Sequence, residues 1–303
     1  MKRRIILSLN FIAFFAMCSI CHGQICSTYT GCRPIPKMLV EKPSEDLWKS
    51  QFKKGSLFRR SKYKMLEKDN GTQDLSIFFV RSAMDDLIHK FENLKGYRGI
   101  RVYFARYNLN LCNMTGTMPV LPPNKLILLF SPVGAGAADT NYYYINENDP
   151  NLYLVSDTCA NSWIDDYDKS NMKSLRKTIR TKDLDNYPGR DKTQEFSDTK
   201  FVFYNADPIH DAFVCEPQYQ QTKGITITGY EVSFSAYTKS GKIPGDFDSY
   251  KKRMFIQFDY MNKVNGKDEI FYLDEQPEYP CRKANTITSK GLDNGQLCPT
   301  YCQ

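Results

Sequence analysis

The stretch "GIRVYFARY", Gly99 to Tyr107, constrains the fold most. Ile100, Val102 and Phe104 alternate with Arg101, Tyr103 and Tyr107, a period of two that fits a strand with one apolar and one polar, aromatic face. Just upstream, Ser82 and Asp85 have the spacing of a capping box. Met84, Leu87, Ile88, Phe91 and Leu94 then recur at helical spacing until Gly96. The pattern predicts a strand over Ile77 to Val80, an amphipathic helix over Ala83 to Lys95 and a strand over Ile100 to Tyr107. A further apolar run, Leu126 to Phe130, precedes the small-residue turn "SPVGAGAADT", after which "NYYYI" resumes extended structure.

The same order returns further along. "GYEVSFSAY", Gly229 to Tyr237, aligns with "GIRVYFARY", matching Gly99 to Gly229, Val102 to Val232, Phe104 to Phe234 and Tyr107 to Tyr237. After a two-residue slip "KLILLF" aligns with "RMFIQF" and "YYYI" with "IFYL", while "KFVFY" and "DPIHDAF" stand where the first copy has its strand and helix. Duplication and the alternation common to any two strands both account for this. The fold expected is α+β, two possibly duplicated modules of an amphipathic helix with a mainly antiparallel sheet. Ile100, Val102 and Phe104 match Tyr230, Val232 and Phe234, so that side is expected to be the core. Arg101, Tyr103 and Ala105 match Glu231, Ser233 and Ser235; Arg101 opposite Glu231 would suit an interface, but a solvated sheet face is the preferred reading.

The chain opens "MKRRIILSLNFIAFFAMCSICHGQ", three cations, an apolar run and then small residues, the layout of a secretory signal peptide cleaved after Gly23. The apolar run is shorter than a spanning helix needs and Asn10 interrupts it. Neither Cys18 nor Cys21 has a lipobox around it, and Arg3 and Arg4 form an incomplete twin-arginine signal. No transmembrane span is expected after cleavage, and the protein is expected to be exported: periplasmic, outer-envelope-associated or secreted. Eight cysteines remain, Cys26, Cys32, Cys112, Cys159, Cys215, Cys281, Cys298 and Cys302, and an even number in an exported chain is read as disulfides. Spacing points only to a small Cys26–Cys32 loop, and Cys298 or Cys302 is expected to tie the tail to the second module. "CPTYC" is not CxxC, which disfavours a thioredoxin-like pair.

The leader carries three cations of the formal +7, leaving +4, too little to argue nucleic acid. Arg33 to Lys68, however, holds eleven Lys and Arg against four Asp and Glu. The expected organisation is a signal peptide (1–23), a basic N-terminal segment (24–69), a first α+β module (70–160), a basic helix and polar linker (161–200), a second module (201–280) and a cysteine-containing tail (281–303). In the linker, Met172, Leu175 and Ile179 share one helical face, and "DLDNYPGRDKTQEFSDTK" reads as a loop.

Catalytic and metal motifs are sparse. His89 lies one helical turn after Asp85, yet no serine sits in a nucleophile elbow, and His89 reads as a surface helix residue. His210 follows Asp207, read as a helix cap with Pro208 at the first helical position, and needs no chemical role. There is no HExxH, paired CxxC or EF-hand loop, and no cofactor is expected. "DDYD", Asp165 to Asp168, reads as a helix start in preference to a calcium site. "GAGA" at Gly134 lacks the helix that a phosphate site requires. Paired carboxylates for hydrolysing envelope or extracellular polymers stay open, since acids are plentiful and sequence does not set their distances.

The most specific local signal is "KSQFKKGSLFRRSKYK". Lys49, Lys53, Lys54, Arg59, Arg60, Lys62 and Lys64 occur without an acid and alternate with Phe52, Phe58 and Tyr63, a pattern suited to a polyanion or to a solvated face over buried aromatics. "GIRVYFARY" after an amphipathic helix and the C-terminal "NGQLCPTYC" resemble uncharacterised exported proteins of Bacteroidetes-type bacteria. The resemblance implies a compartment and no catalytic residues. The sequons at Asn70 and Asn113 would matter only in a eukaryotic secretory pathway. The reading is an exported, disulfide-containing, non-enzymatic binding or envelope-associated protein. Its partner is not legible beyond a polyanion or envelope component, and the alternative is a hydrolase using paired carboxylates.

Overall fold

A computed structural model describes residues 26, 50, 76–112, 118–123, 125–134, 141–167, 201–236, 254–271 and 296–298. The basic residues Lys49 to Lys64, Cys32, Cys281, Cys302, the sequons, the leader, "GAGA" beyond Gly134, Asp168 and the rest of the linker lie outside them. Strand β1 (Ser76–Val80) runs straight into helix α1 (Arg81–Glu92), followed by β2 (Tyr97–Arg106), β3 (Leu126–Gly134), β4 (Tyr142–Ile145) and β5 (Leu152–Val155). Helix α2 covers 157–167. The second half repeats the order: β6 (Phe201–Asn205), α3 from Ala206 to Thr222, β7 (Ile227–Ala236), β8 (Met254–Val264) and β9 (Lys267–Phe271), with β10 (Gln296–Cys298) last.

The expected α+β class is the observed one, with antiparallel pairing throughout. Among the described residues the strands form a four-stranded sheet, β1-β7-β8-β9, and a six-stranded sheet, β10-β6-β2-β3-β4-β5. Each half therefore lends its first strand to the other half's sheet. Val80 pairs with Gly229 at the end of β1, and Asn205 pairs with Gly99 at the end of β6. The long hairpins correspond as well. Ala105 pairs with Ile127 and Ser235 with Phe255, and both hairpins shift register at their start, between Tyr97 and Gly99 and between Ile227 and Gly229. The glycines are needed at this crossing: a Cβ at Gly99 would collide with the carbonyl oxygen of Tyr204, and one at Gly229 with that of Phe79.

Ile100, Val102 and Phe104 line one core with Tyr230, Val232 and Phe234, as the repeating apolar face predicts. The sheets meet through ring contacts at matching positions: Phe104 on Phe234 at 6.3 Å, Phe79 on Phe130 at 5.9 Å and Tyr204 on Phe258 at 6.2 Å. Into the same core α1 buries Ala83, Met84, Leu87, Ile88 and Phe91, and α3 buries Ile209, Ala212 and Phe213. The predicted capping box is not formed. α1 begins at Arg81 directly off an extended Val80, with no side-chain cap, so Ser82 lies inside the first turn and Asp85 pairs with Arg81 at 3.3 Å. The helix ends at Glu92, which leaves Leu94 exposed beyond it, and Gly96 turns the chain at φ +76°.

The other face of β2 is only partly solvated. Ala105 and Tyr107 are fully buried in a second core with Ile127, Leu129, Tyr142 and Tyr144, covered by Cys159, Ala160 and Trp163 of α2 and by Met118 and Leu121. Only Arg101 and Tyr103 are half-exposed; the Arg101 guanidinium lies over the Phe201 ring at 5.3 Å and Tyr103 packs on Phe201 and Tyr142. Ser233 and Ser235 on β7 are buried too. Alternation puts Arg101 and Glu231 on the outward faces of two different sheets, so they do not form the interface pair that the alignment offered. Asp165 and Asp166 do not open a helix: α2 starts at 157 and they lie well along it, with Asp166 3.5 Å from Arg106. No helix of the described residues is long and apolar enough to cross a membrane.

Candidate functional site

Helix α3 departs from α1 in its middle. It is α-helical over Ala206–His210, makes one π-helical turn over Asp211–Cys215 and resumes as α-helix over Glu216–Thr222. Pro217 explains the turn. A proline has no N–H for the helical ladder and its ring crowds the carbonyl four residues back, here Phe213. Glu216 N–H reaches back five residues to Asp211 O, while the carbonyls of Ala212 and Phe213 accept from Tyr260 Oη at 2.6 Å and Tyr230 Oη at 3.2 Å. Two buried tyrosines of β7 and β8 thus occupy carbonyls that the helix interruption releases. Burial, reinforced by the Asp85 carboxylate, pushes the Tyr230 phenol well above the ordinary tyrosine range.

The π turn brings together residues that a regular helix would separate. His210 and Cys215 are five apart, about 140° around an α-helix, but the i to i+5 closure stacks them on one face. Cys215 is disulfide-bonded to Cys26, with Cα atoms 5.3 Å apart. His210 is buried; its Nε2 lies 3.9 Å from Cys26 Sγ and its Nδ1 2.6 Å from Glu92 Oε1 in the last turn of α1. One ring nitrogen of His210 is thus held by Glu92, and the other, Nε2, faces Cys26 Sγ. Gln218 Oε1 is 3.6 Å from Cys26 Sγ, and His89 Nδ1 is 3.9 Å from Glu92 Oε2. Cys26, His210 and Cys215 keep their donor atoms within 4.8 Å of one another.

Neither protein-family models, curated proteins nor solved structures give a match to this chain.

The disulfides settle part of the cysteine expectation. Cys26 pairs with Cys215 and not with Cys32, since the fold closes the bridge over 189 residues of sequence, a distance no spacing rule anticipates. Cys112 pairs with Cys159 and fixes the end of a 3-10 turn, Leu109–Leu111, to α2, where Trp163 Nε1 also donates to Asn108 O at 2.9 Å. The tail returns to the second half through backbone pairing of Cys298 with Phe201. His210 is not placed by an Asp207 cap: α3 starts at Ala206, its cap position is Asn205 without a side-chain bond, and Pro208 lies inside the first turn. What the sequence reading missed is the cluster Glu92, His210, Cys26 and Cys215. The available signal was Pro217 two residues after Cys215, which marks a break in a helix that otherwise keeps the pair apart. His89 is exposed on α1, the surface position expected of it.

Proposed function

We propose that this is an exported, disulfide-stapled, non-enzymatic binding or envelope-associated protein whose ligand is a polyanion met by Lys49, Lys53, Lys54, Arg59, Arg60, Lys62 and Lys64. The observation that carries the reading is where this segment is anchored. Cys26, on its N-terminal side, is bonded to Cys215 of α3, and Ser76, on its C-terminal side, begins the edge strand β1. The stretch of sequence that carries the seven cations is thereby flanked on both sides by residues fastened to the two-sheet body. Tethering lowers the entropy cost of presenting the segment to a ligand. Two disulfides, each joining distant parts of the chain, support an oxidising compartment and agree with the signal-like leader. We also propose that the two halves are copies of one β-α-β-β-β unit, supported by the matching registers and the paired glycine crossings.

Charge reversal of Lys53, Lys54, Arg59 and Arg60 together tests the ligand. Retention on heparin and on lipopolysaccharide across a salt gradient should fall sharply in this variant, with elution at much lower salt. Arg101→Gln, which alters the sheet face, should leave retention unchanged. Equal retention of the charge-reversed and wild-type proteins contradicts the reading, and selective loss in Arg101→Gln moves the binding surface to β2.

A further inference from the structure

The two disulfides among the described residues sit in different chemical surroundings. Beside Cys112–Cys159, Ser156 Oγ accepts from the Cys159 N–H at 3.4 Å. Beside Cys26–Cys215 stands a buried imidazole whose far nitrogen is held by a carboxylate at 2.6 Å and whose near nitrogen faces the sulfur. That carboxylate–imidazole pairing is how proteins orient a histidine toward a metal, because it fixes the tautomer and makes the ring a better donor. Two thiolates and one imidazole form a donor set for a borderline-soft, tetrahedral cation. Cys26, His210 and Cys215 already bring one donor atom each within 4.8 Å of the others. With the sulfurs bonded to each other they have no thiolate to offer.

From this arrangement we propose that the reduced form of the cluster is a Zn²⁺ site, with the Cys26 and Cys215 thiolates and His210 Nε2 as protein ligands and water in the fourth position. Glu92 is the positioning residue. Conversion needs a dithiol of the exported compartment: two electrons and two protons pass to the sulfurs of Cys26 and Cys215 and the partner leaves as its own disulfide. Zn²⁺ then displaces the two thiol protons. A disulfide of the same compartment reverses the change by thiol–disulfide exchange: it takes the two electrons and leaves as its dithiol, the Cys26–Cys215 bond reforms and the metal is released. In both states Cys26 stays attached to the π turn of α3, once through the bond and once through the ion, so the cluster exchanges one fastening for another.

The test uses the full chain, reduced with a phosphine and titrated with Co²⁺ as a spectroscopic probe. The reduced protein should bind Co²⁺ with the thiolate charge-transfer and tetrahedral d–d bands, and Zn²⁺ should bleach them; the oxidised protein should show neither. The bands should survive in the Cys112→Ser/Cys159→Ser variant and vanish in Cys26→Ser and Cys215→Ser. Glu92→Gln should keep the band shape and weaken affinity about 10- to 100-fold, the signature of a positioning residue. Should reduction loosen the fold, recovery of the near-ultraviolet circular dichroism on adding Zn²⁺ becomes the readout, and recovery is the expected result. A reduced chain with neither bands nor recovery overturns the proposal, as do bands that persist unchanged in Cys26→Ser.

Discussion

The two halves share their order and pairing, yet their helices end differently. Counting from the strand-to-helix junctions, Met84 stands where the second half has Ile209, Ile88 where it has Phe213, and Phe91 where it has Glu216. α1 is regular and closes on a fully buried phenylalanine. At the matching point α3 has just completed a π turn and buries a glutamate that accepts from Gln220 Nε2 at 2.7 Å. The strands differ to match: Ile100 in the first half faces the core where the second has Tyr230, whose hydroxyl meets the released Phe213 carbonyl. One half thus uses its helix to complete a core, and the other uses the same helix position to assemble Cys215, His210 and, through α1, Glu92. A site is built here by one proline and its compensating tyrosines on an otherwise common frame.

The shared part of the comparison breaks at the crossing glycines. Gly99→Ala and Gly229→Ala each push a Cβ into a backbone carbonyl of the exchanged strand, so each should cost about 1 to 3 kcal/mol or more in thermal unfolding, Gly99→Ala the more because its φ of +156° adds backbone strain. A large loss at one glycine and none at the other would end the equivalence of the halves.

The disulfides sharpen the difference next. Removing either should lower stability by roughly 2 to 5 kcal/mol. Cys26–Cys215 spans 189 residues and Cys112–Cys159 spans 47, so chain entropy predicts that losing the first costs about 1 kcal/mol more. Denaturant unfolding of Cys215→Ser against Cys159→Ser measures this.

The smallest effect expected is at alkaline pH. Burial holds Tyr97, Tyr144 and Tyr230 protonated above the ordinary tyrosine value of about 10, so the folded state binds these protons more tightly than the unfolded chain. Their contribution is fully present below pH ~10 and is lost as pH rises through the raised values. Tyr230→Phe should cost about 1 to 3 kcal/mol at neutral pH, because the Phe213 carbonyl loses its partner, and should flatten the alkaline decline. An ultraviolet tyrosine titration alongside the melting curves shows both.

Much of the frame was legible because it rests on local periods. The spacing of Met84, Leu87, Ile88 and Phe91 located α1, and the alignment of "GIRVYFARY" with "GYEVSFSAY", with its two-residue slip, matches the observed β2–β3 and β7–β8 registers. Alternation says which side of a strand is apolar and nothing about its neighbour, so the pairing of β1 with β7 was not visible. For the same reason the outer face of β2 read as wet: Arg101 and Tyr103 announce polarity, whereas the cover from Trp163 and Ala160 comes from a helix more than fifty residues away in sequence. The candidate site was hidden twice over, by a disulfide closed across most of the chain and by a π turn that changes which helical residues share a face. The capping-box spacing of Ser82 and Asp85 misled because β1 enters α1 without the intervening loop in which a cap forms.

The exchange of first strands is the claim on which the core, the tethered basic segment and the site all depend. Cross-strand nuclear Overhauser contacts in a sample labelled at isoleucine and valine test it most directly, since the diagnostic pairs are Ile77 with Val232 and Val102 with Val202. The account predicts contacts within both pairs. Contacts from Ile77 to β2 or β3 backbone partners, with none to Val232, would contradict it.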